Sequence, residues 1–378
     1  MPKIADIFRR HGDAYLTRFG ATMPLWHRRA LDAVRNCRTP AMGGHLRACL
    51  DCGSREYVYH SCRSRACPSC HGEQTADWLE ARRTELLPTR YFHLVFTVPA
   101  ALREPLRRNQ TALGGALLRA AAQALLDLAA DPQWLGATPA VLSVLHTWGR
   151  TLSWHPHVHL LVSAGGVTPD RQWREAPNPV FLVPVHALAK RFRGRFAALA
   201  PRNPYGDVVA AAKPAADLPD DVFDPTQRWV VYAKPCFTGP QQVLDYFGRY
   251  LHRLPISDSR ILQHTAETVS YACRDATTGR VRHQTVTPPE FLRRCLQHVP
   301  PPGFHRIRYC GLWSPARRGD LRNLLVLLAS RRPVATALAV ALPREIMPER
   351  CPLRVCRCCG SSRLAVILYF GPRERAPP

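Results

Sequence analysis

Residues Trp154–Gly166 read "WHPHVHLLVSAGG", placing three histidines within five residues ahead of an apolar run and a glycine pair. Side chains on a strand repeat every two residues, so His157 and His159 share one face while Val158 points the other way. Two imidazoles on one face of an apolar segment are costly unless something pairs with them, and a metal ion is the usual partner. The preceding run "AVLSVLHTW" (140–148) predicts an antiparallel neighbour joined by a short connection.

The chain around this stretch has 378 residues, enough to bury a large core in two or three domains. It carries 52 Lys+Arg against 28 Asp+Glu, a formal charge of +24. Only Lys3, Lys190, Lys213 and Lys234 are lysines, so the basic side chains are nearly all arginines, whose planar forks suit bidentate phosphate contacts. Arginine over lysine fits a GC-rich genome, but the excess of positive charge favours a polyanion, with nucleic acid as the default partner. The best candidate for a membrane span, residues 321–343, is broken by Arg331, Arg332 and Pro333, so no membrane partner is expected. The opening "MPKIADIFRRHG" has no apolar signal region. The expected location is therefore the cytosol. There, fourteen cysteines read as metal ligands or core residues rather than disulfides.

Apolar spacing predicts helices in residues 1–45 and 103–131, and strands at 91–99, 140–148, 155–163 and 229–235. Three short strands follow around 260–287, then a helix from 288 and a strand at 304–311. Residues 201–226 are rich in Pro, Ala and Asp and read as an excursion. Strands and helices mix without a regular βαβ series, which makes the class α+β. No phosphate-binding loop and no dinucleotide fingerprint occur, and no internal repeat is evident.

Cys49-x2-Cys52 and Cys67-x2-Cys70, fourteen residues apart, match a tetrahedral four-cysteine zinc site with a hairpin between the pairs. Cys37, Cys62, His45 and His60 lie close enough to substitute for a ligand or build a second site. Arg63 and Arg65 sit between the ligands, where they can reach phosphates. In the C-terminal tail, Cys356-x2-Cys359, with Cys351 and Cys358 nearby, offers one knuckle without an obvious mate.

In "DYFGRYLHR" (245–253), Tyr246 and Tyr250 lie one helical turn apart, and Arg249 and Arg253 repeat that spacing on a neighbouring face. An aromatic core stripe would look the same, but the interleaved arginines and the His-x-His strand upstream favour a site. Five blocks occur in order: "SCRSRACPSC", "YFHLVFTVP", "LHTWGRTLSWHPHVHLLVSAGG", "YFGRYLHRLPISDSRI" and "EFLRRCLQHVPPPGFHRIRYCGLWS". Together they resemble the two-tyrosine HUH transposases of rolling-circle insertion sequences, the insertion-sequence 91 type. Ala66 departs from the family, which commonly has histidine there, and Asp258 stands where asparagine is usual.

The resemblance implies an HUH-type antiparallel sheet with flanking helices, preceded by a small zinc-binding domain. The corresponding segments are a helical, zinc-binding DNA-recognition region at 1–88, a catalytic domain at 89–335 and a basic tail at 336–378. It implies that His157, His159 and a third ligand hold Mg²⁺ or Mn²⁺, the third being His146, eleven residues before His157 on the adjacent strand, with His155 and His93 as alternatives. It also implies that Tyr246 or Tyr250 attacks a phosphate of single-stranded DNA at the element ends and target, in a bacterial cell and on the nucleoid when acting. The product would be a 5′-phosphotyrosine and a free 3′-OH, with Zn²⁺ structural and host replication or helicase proteins as possible helpers. Tyr232, Trp229 and Trp154 could offer stacking surfaces to bases, although an aromatic in the core is the commoner account of each. A plasmid replication initiator or relaxase would share this chemistry, and a zinc-dependent DNA-binding regulator would lack it.

Overall fold

Strand β5 (Trp154–Val167) runs through the middle of a six-stranded antiparallel sheet in the computed structural model of the chain. The structure describes residues 3–70, 78–200, 218–224, 226–227, 229–236, 242, 255–275, 278–330 and 355–372. Tyr246, Arg249, Tyr250 and Arg253, with most of the 201–226 excursion, lie outside the described residues. The strands flanking β5 are β3 (Tyr91–Thr97) and β4 (Thr138–Trp148), β7 (Val230–Cys236) lies outside β3, and β11 (Ile307–Gly311) lies outside β4. The short β6 (Trp173–Glu175) pairs with the end of β5.

Alternation divides this sheet into two unlike faces. Phe92, Leu94, Phe96, Val158, Leu160 and Val162 point to one side and share a core with α4 (Gln110–Ala129) and α5 (Val185–Leu199), beyond the short α3 (Arg103–Arg108). Helix α4 is apolar and long enough to cross a membrane, yet twelve of its residues are buried against this sheet. Trp229 belongs here too: it is buried among Phe192 and Phe196, and its Nε1 donates to the Val222 carbonyl (3.0 Å). It is a core residue, the reading weighed above against a stacking surface. On the other side, Tyr91, Leu142, Val144 and Leu161 pack with Trp313 and the leucines of α7 (Arg318–Ser330). The histidines continue this second face beyond that apolar patch.

A second core joins distant parts of the chain. Helices α1 (Ile4–Phe19) and α2 (Leu25–Asn36) bury Ile4, Ile7, Phe8, Leu31 and Val34 against Tyr271, Phe291 and Leu292. Those partners come from a three-stranded antiparallel sheet, β8 (Ile261–His264), β9 (Val269–Arg274) and β10 (Val281–Val286), and from α6 (Pro288–Leu296). Asp258 accepts a hydrogen bond from the Ile4 N–H (2.8 Å), so it caps the opening of α1, where an anion is favoured.

A third sheet contains β1 (Gly44–Cys49), β2 (Arg55–Tyr59) and β12 (Leu364–Phe370), with β1 in the centre. The three segments expected from sequence therefore interlock: the first shares a core with residues 256–296, and the last completes the first segment's sheet. The antiparallel α+β class is as expected.

Gly311 closes β11 at φ +59°, and a Cβ there would overlap the Pro139 carbonyl oxygen. Gly303 has φ +74° but open space around it. Gly311→Ala is expected to cost about 3 kcal/mol and Gly303→Ala about 1 kcal/mol, read from urea-unfolding midpoints.

Candidate metal centre and basic cleft

The β4–β5 register sets His146 directly opposite His157, and Val144 opposite His159. The register shifts by one residue beyond this pair, between His146/Trp148 on one strand and Trp154–His157 on the other. Pro156 lies in that bulge, where a strand tolerates a residue without an N–H. One ligand nitrogen from each of His146, His157 and His159 falls within 4.8 Å of the others. The expected third partner is thus brought to the pair.

The two alternatives take supporting positions. His157 Nδ1 donates to the His155 carbonyl (2.7 Å), which fixes its proton on Nδ1 and gives Nε2 a lone pair. His93 Nε2 and His159 Nδ1 are 2.7 Å apart with their rings stacked, so His93 orients His159 from behind. Burial pulls the His157 pKa down to about 4 and the His159 pKa well below its ordinary value. Both are neutral at pH 7, as metal ligands must be. Three imidazoles whose nitrogens converge are a donor set that could hold a divalent ion. Tyr232, half exposed on β7, occupies the same cross-strand row as His159 through Val95.

Rings extend from this triad to the edge of the sheet. Trp148 stacks on His146 at 4.6 Å, and the Arg306 guanidinium lies 6.0 Å from the Trp148 centroid. Arg306 enters a cleft of about 470 Å³ whose walls include Trp26 and Arg29 of α2, Ser64 and Arg65 of the cysteine loop, and the 300–303 turn. No carboxylate lines it among the described residues. Burial, then the neighbouring Arg65, pulls Arg306 down to about 10, which still leaves it charged at neutral pH. His298 forms the inner wall, stacked on Trp154 and bonded to Thr147 Oγ1 (3.1 Å). A basic cleft flanked by indole rings is chemistry for a nucleotide phosphate chain.

The cysteines are arranged differently from the single site expected of Cys49, Cys52, Cys67 and Cys70. They form two groups: Cys37, Cys62, Cys67 and Cys70, and Cys49, Cys52, Cys356 and Cys359. The reason is the direction of β2, which leaves the 49–52 knuckle and runs five residues away, roughly 16 Å. That delivers Cys67 and Cys70 to the end of α2, where Cys37 waits 3.4 Å from Cys70. Hydrogen bonding among the four thiols lowers Cys70 and Cys37, the latter to about 7, and raises Cys62 and Cys67. Arg63 and Arg65 are exposed on this loop, Arg63 at φ +49°. Ala66 is buried at the cleft wall, and four thiols assemble without a histidine in its place.

Comparison with known proteins follows the same division. A family model described as "Transposase zinc-binding domain" matches residues 7–98, and one described as "Putative transposase" matches residues 140–320. The "Putative transposase y4qJ" of Sinorhizobium fredii (strain NBRC 101917 / NGR234) is 42% identical over 393 residues, covering 98% of this chain and 96% of that protein. The chain belongs to the insertion-sequence 91 type of transposases. The "Transposase for insertion sequence element IS801" of Pseudomonas savastanoi pv. phaseolicola is 30% identical over 284 residues, 73% of this transposase and 67% of its relative. No solved structure matches. The first cysteine group lies wholly within the zinc-binding domain of the transposase, and its four thiols fit a structural Zn²⁺.

His298 is buried, and desolvation lowers its pKa to about 3 while the Leu152 carbonyl partly opposes this. A lowered pKa means the unfolded chain takes up the proton first, so stability holds above pH 6.5 and is lost as pH falls towards 3. His298 alone should contribute about 1.4 kcal/mol of lost stability per pH unit in that window. His298→Gln should unfold with about one fewer proton taken up between pH 6 and 4, measured from denaturation midpoints across that range.

Proposed function

We propose that this transposase cleaves and rejoins single-stranded DNA at insertion-sequence ends by rolling-circle chemistry, using Tyr246 and Tyr250 as nucleophiles. The observation that carries the reading is the meeting of His146, His157 and His159 on one sheet face, beside a basic cleft. A divalent ion held by these imidazoles, Mg²⁺ or Mn²⁺, would polarise a phosphate oxygen and offset the charge that builds on it.

The chain's own groups supply the rest. A tyrosine oxygen attacks phosphorus in line, an O–P bond forms, and the bond to the 3′ oxygen breaks. The phenolic proton is lost and the departing oxygen gains one, leaving a 5′-phosphotyrosine and a free 3′-OH. The ester conserves the bond, so a second 3′-OH can reverse the step without ATP. Two tyrosines allow two such links, one to the element and one to the target. His155 and His93 hold the ligand rings in place, a supporting role that the metal site requires.

Arg306, Arg65 and Arg29 provide the positive wall along which neighbouring phosphates would lie, and Trp26 and Trp148 provide ring surfaces. A single strand suits this cleft because a second strand would keep the phosphate away from imidazoles recessed in a sheet. Zn²⁺ in the Cys37, Cys62, Cys67 and Cys70 group would hold the loop bearing Arg63 and Arg65.

The test uses labelled single-stranded oligonucleotides of element ends with Mg²⁺ or Mn²⁺, resolved on a denaturing gel. A DNA-linked protein band should form, and it should vanish in the double variant Tyr246→Phe, Tyr250→Phe; persistence there would place the nucleophile elsewhere. His157→Ala should cut cleavage by about 100-fold or more with DNA affinity changed by less than about threefold. Equal loss of both would point to a regulator's binding surface or a folding defect. Arg306→Ala should weaken single-strand binding and lower the slope of log K against log salt by about 0.7.

A further inference from the structure

The knuckle at 49–54 reads "CLDCGS" and the one at 356–361 reads "CRCCGS", the same Cys-x2-Cys-Gly-Ser unit at both ends of the chain. Their backbones match as well. Cys49 N–H donates to the Ser54 carbonyl (2.9 Å) and Gly53 N–H to the Cys49 carbonyl (3.0 Å), while Cys356 N–H donates to Ser361 (2.7 Å) and Gly360 N–H to Cys356 (2.9 Å). Gly53 and Gly360 take φ +70° and +75°, left-handed turns that glycine makes without strain.

The two knuckles face each other. Cys49 Sγ lies 3.6 Å from Cys359 Sγ, Cys52 Sγ lies 3.6 Å from Cys356 Sγ, and all four sulfurs fall within 4.8 Å. A tetrahedron with Zn–S bonds of about 2.3 Å has S···S edges of about 3.8 Å, whereas a disulfide needs about 2.05 Å. The four thiols are free in the structure and sit at the spacing of the first.

We propose that this transposase binds a second Zn²⁺ through Cys49, Cys52, Cys356 and Cys359, a zinc ribbon closed between the two ends of the chain. The zinc-binding family match ends at residue 98, so it contains Cys49 and Cys52 but neither of the C-terminal ligands. The metal has structural work to do here. Strands β1, β2 and β12 are five to seven residues long, and Val366, Ile367, Leu368 and Tyr369 of β12 are exposed. A sheet this small with so little buried surface needs a staple. Polar contacts between the knuckles align the ligands: Arg363 pairs with Asp51 at 2.7 Å, Leu50 N–H donates to the Arg363 carbonyl, and Arg357 pairs with Glu56 at 2.9 Å. Cys358 is exposed beside the ligands and outside the group.

Metal content decides the matter. The full chain, purified and analysed by inductively coupled plasma mass spectrometry, should carry two zinc ions. Cys356→Ser with Cys359→Ser should carry one, and Cys358→Ser should keep two. One zinc in the native chain, or two in the double variant, overturns the proposal. Because the double variant could lose its fold, the native chain is also titrated with Co²⁺ after zinc removal. Four-thiolate absorption should saturate at two equivalents, and Cys359→His should still reach two with a blue-shifted second site. Saturation at one equivalent, or two fewer hydrogens by mass where Cys49 and Cys359 have oxidised to a disulfide in the freshly purified chain, would overturn it.

Discussion

Setting imidazoles into the interior of a sheet is the constraint around which this molecule is arranged. His146 and His159 are nearly inaccessible, and each must be oriented at the expense of favourable hydration. The cost is met by register. A slip of one residue between β4 and β5 would turn His157 and His159 to the side of Phe96 and Leu160 and push the apolar set out. The extensive helical layer over Val158, Leu160 and Val162 therefore does more than stabilise the domain. It is what makes the wrong pairing expensive.

The cysteine-rich region takes part in the same arrangement. Ser64, Arg65 and Ala66 lie between Cys62 and Cys67 and also form one wall of the basic cleft. The opposite wall comes from the turn before β11, which hydrogen-bonds to β4 at Leu145, one residue from His146. A loop held by thiols and a strand holding an imidazole thus meet across one groove. The shared core of α1, α2 and α6 fixes the distance between them.

Much of the central sheet was legible because it obeys period-two alternation and short connections: the strands at 91, 140, 155 and 229, the antiparallel sense of the middle two, and the facing of His146 and His157. The supporting roles of His93 and His155 were not, since both look like ligands until the register and the Pro156 bulge are known. Cysteine pairing failed for a different reason. Spacing along the chain suggested that neighbouring pairs share an ion, but a strand between them carries the second pair away. The missing signal was present in the Gly-Ser that follows both Cys52 and Cys359, which reports the same turn in two places. Trp229 could be read either as core or as a stacking surface, because an indole's neighbours depend on tertiary packing that periodicity does not reveal. Asp258, noted only as a departure, proves to cap the first helix.

The central position of β1 also sets a timetable. Its partner β2 follows within a few residues, but β12 begins at residue 364, more than three hundred positions later. At ribosomal speeds of about 5–20 residues per second, one flank of β1 waits roughly 15–60 s for its mate. Throughout that interval a nascent polypeptide presents an open hydrogen-bonding margin of the kind that recruits foreign strands. A message cut short before codon 364 would yield a chain in which that margin never closes.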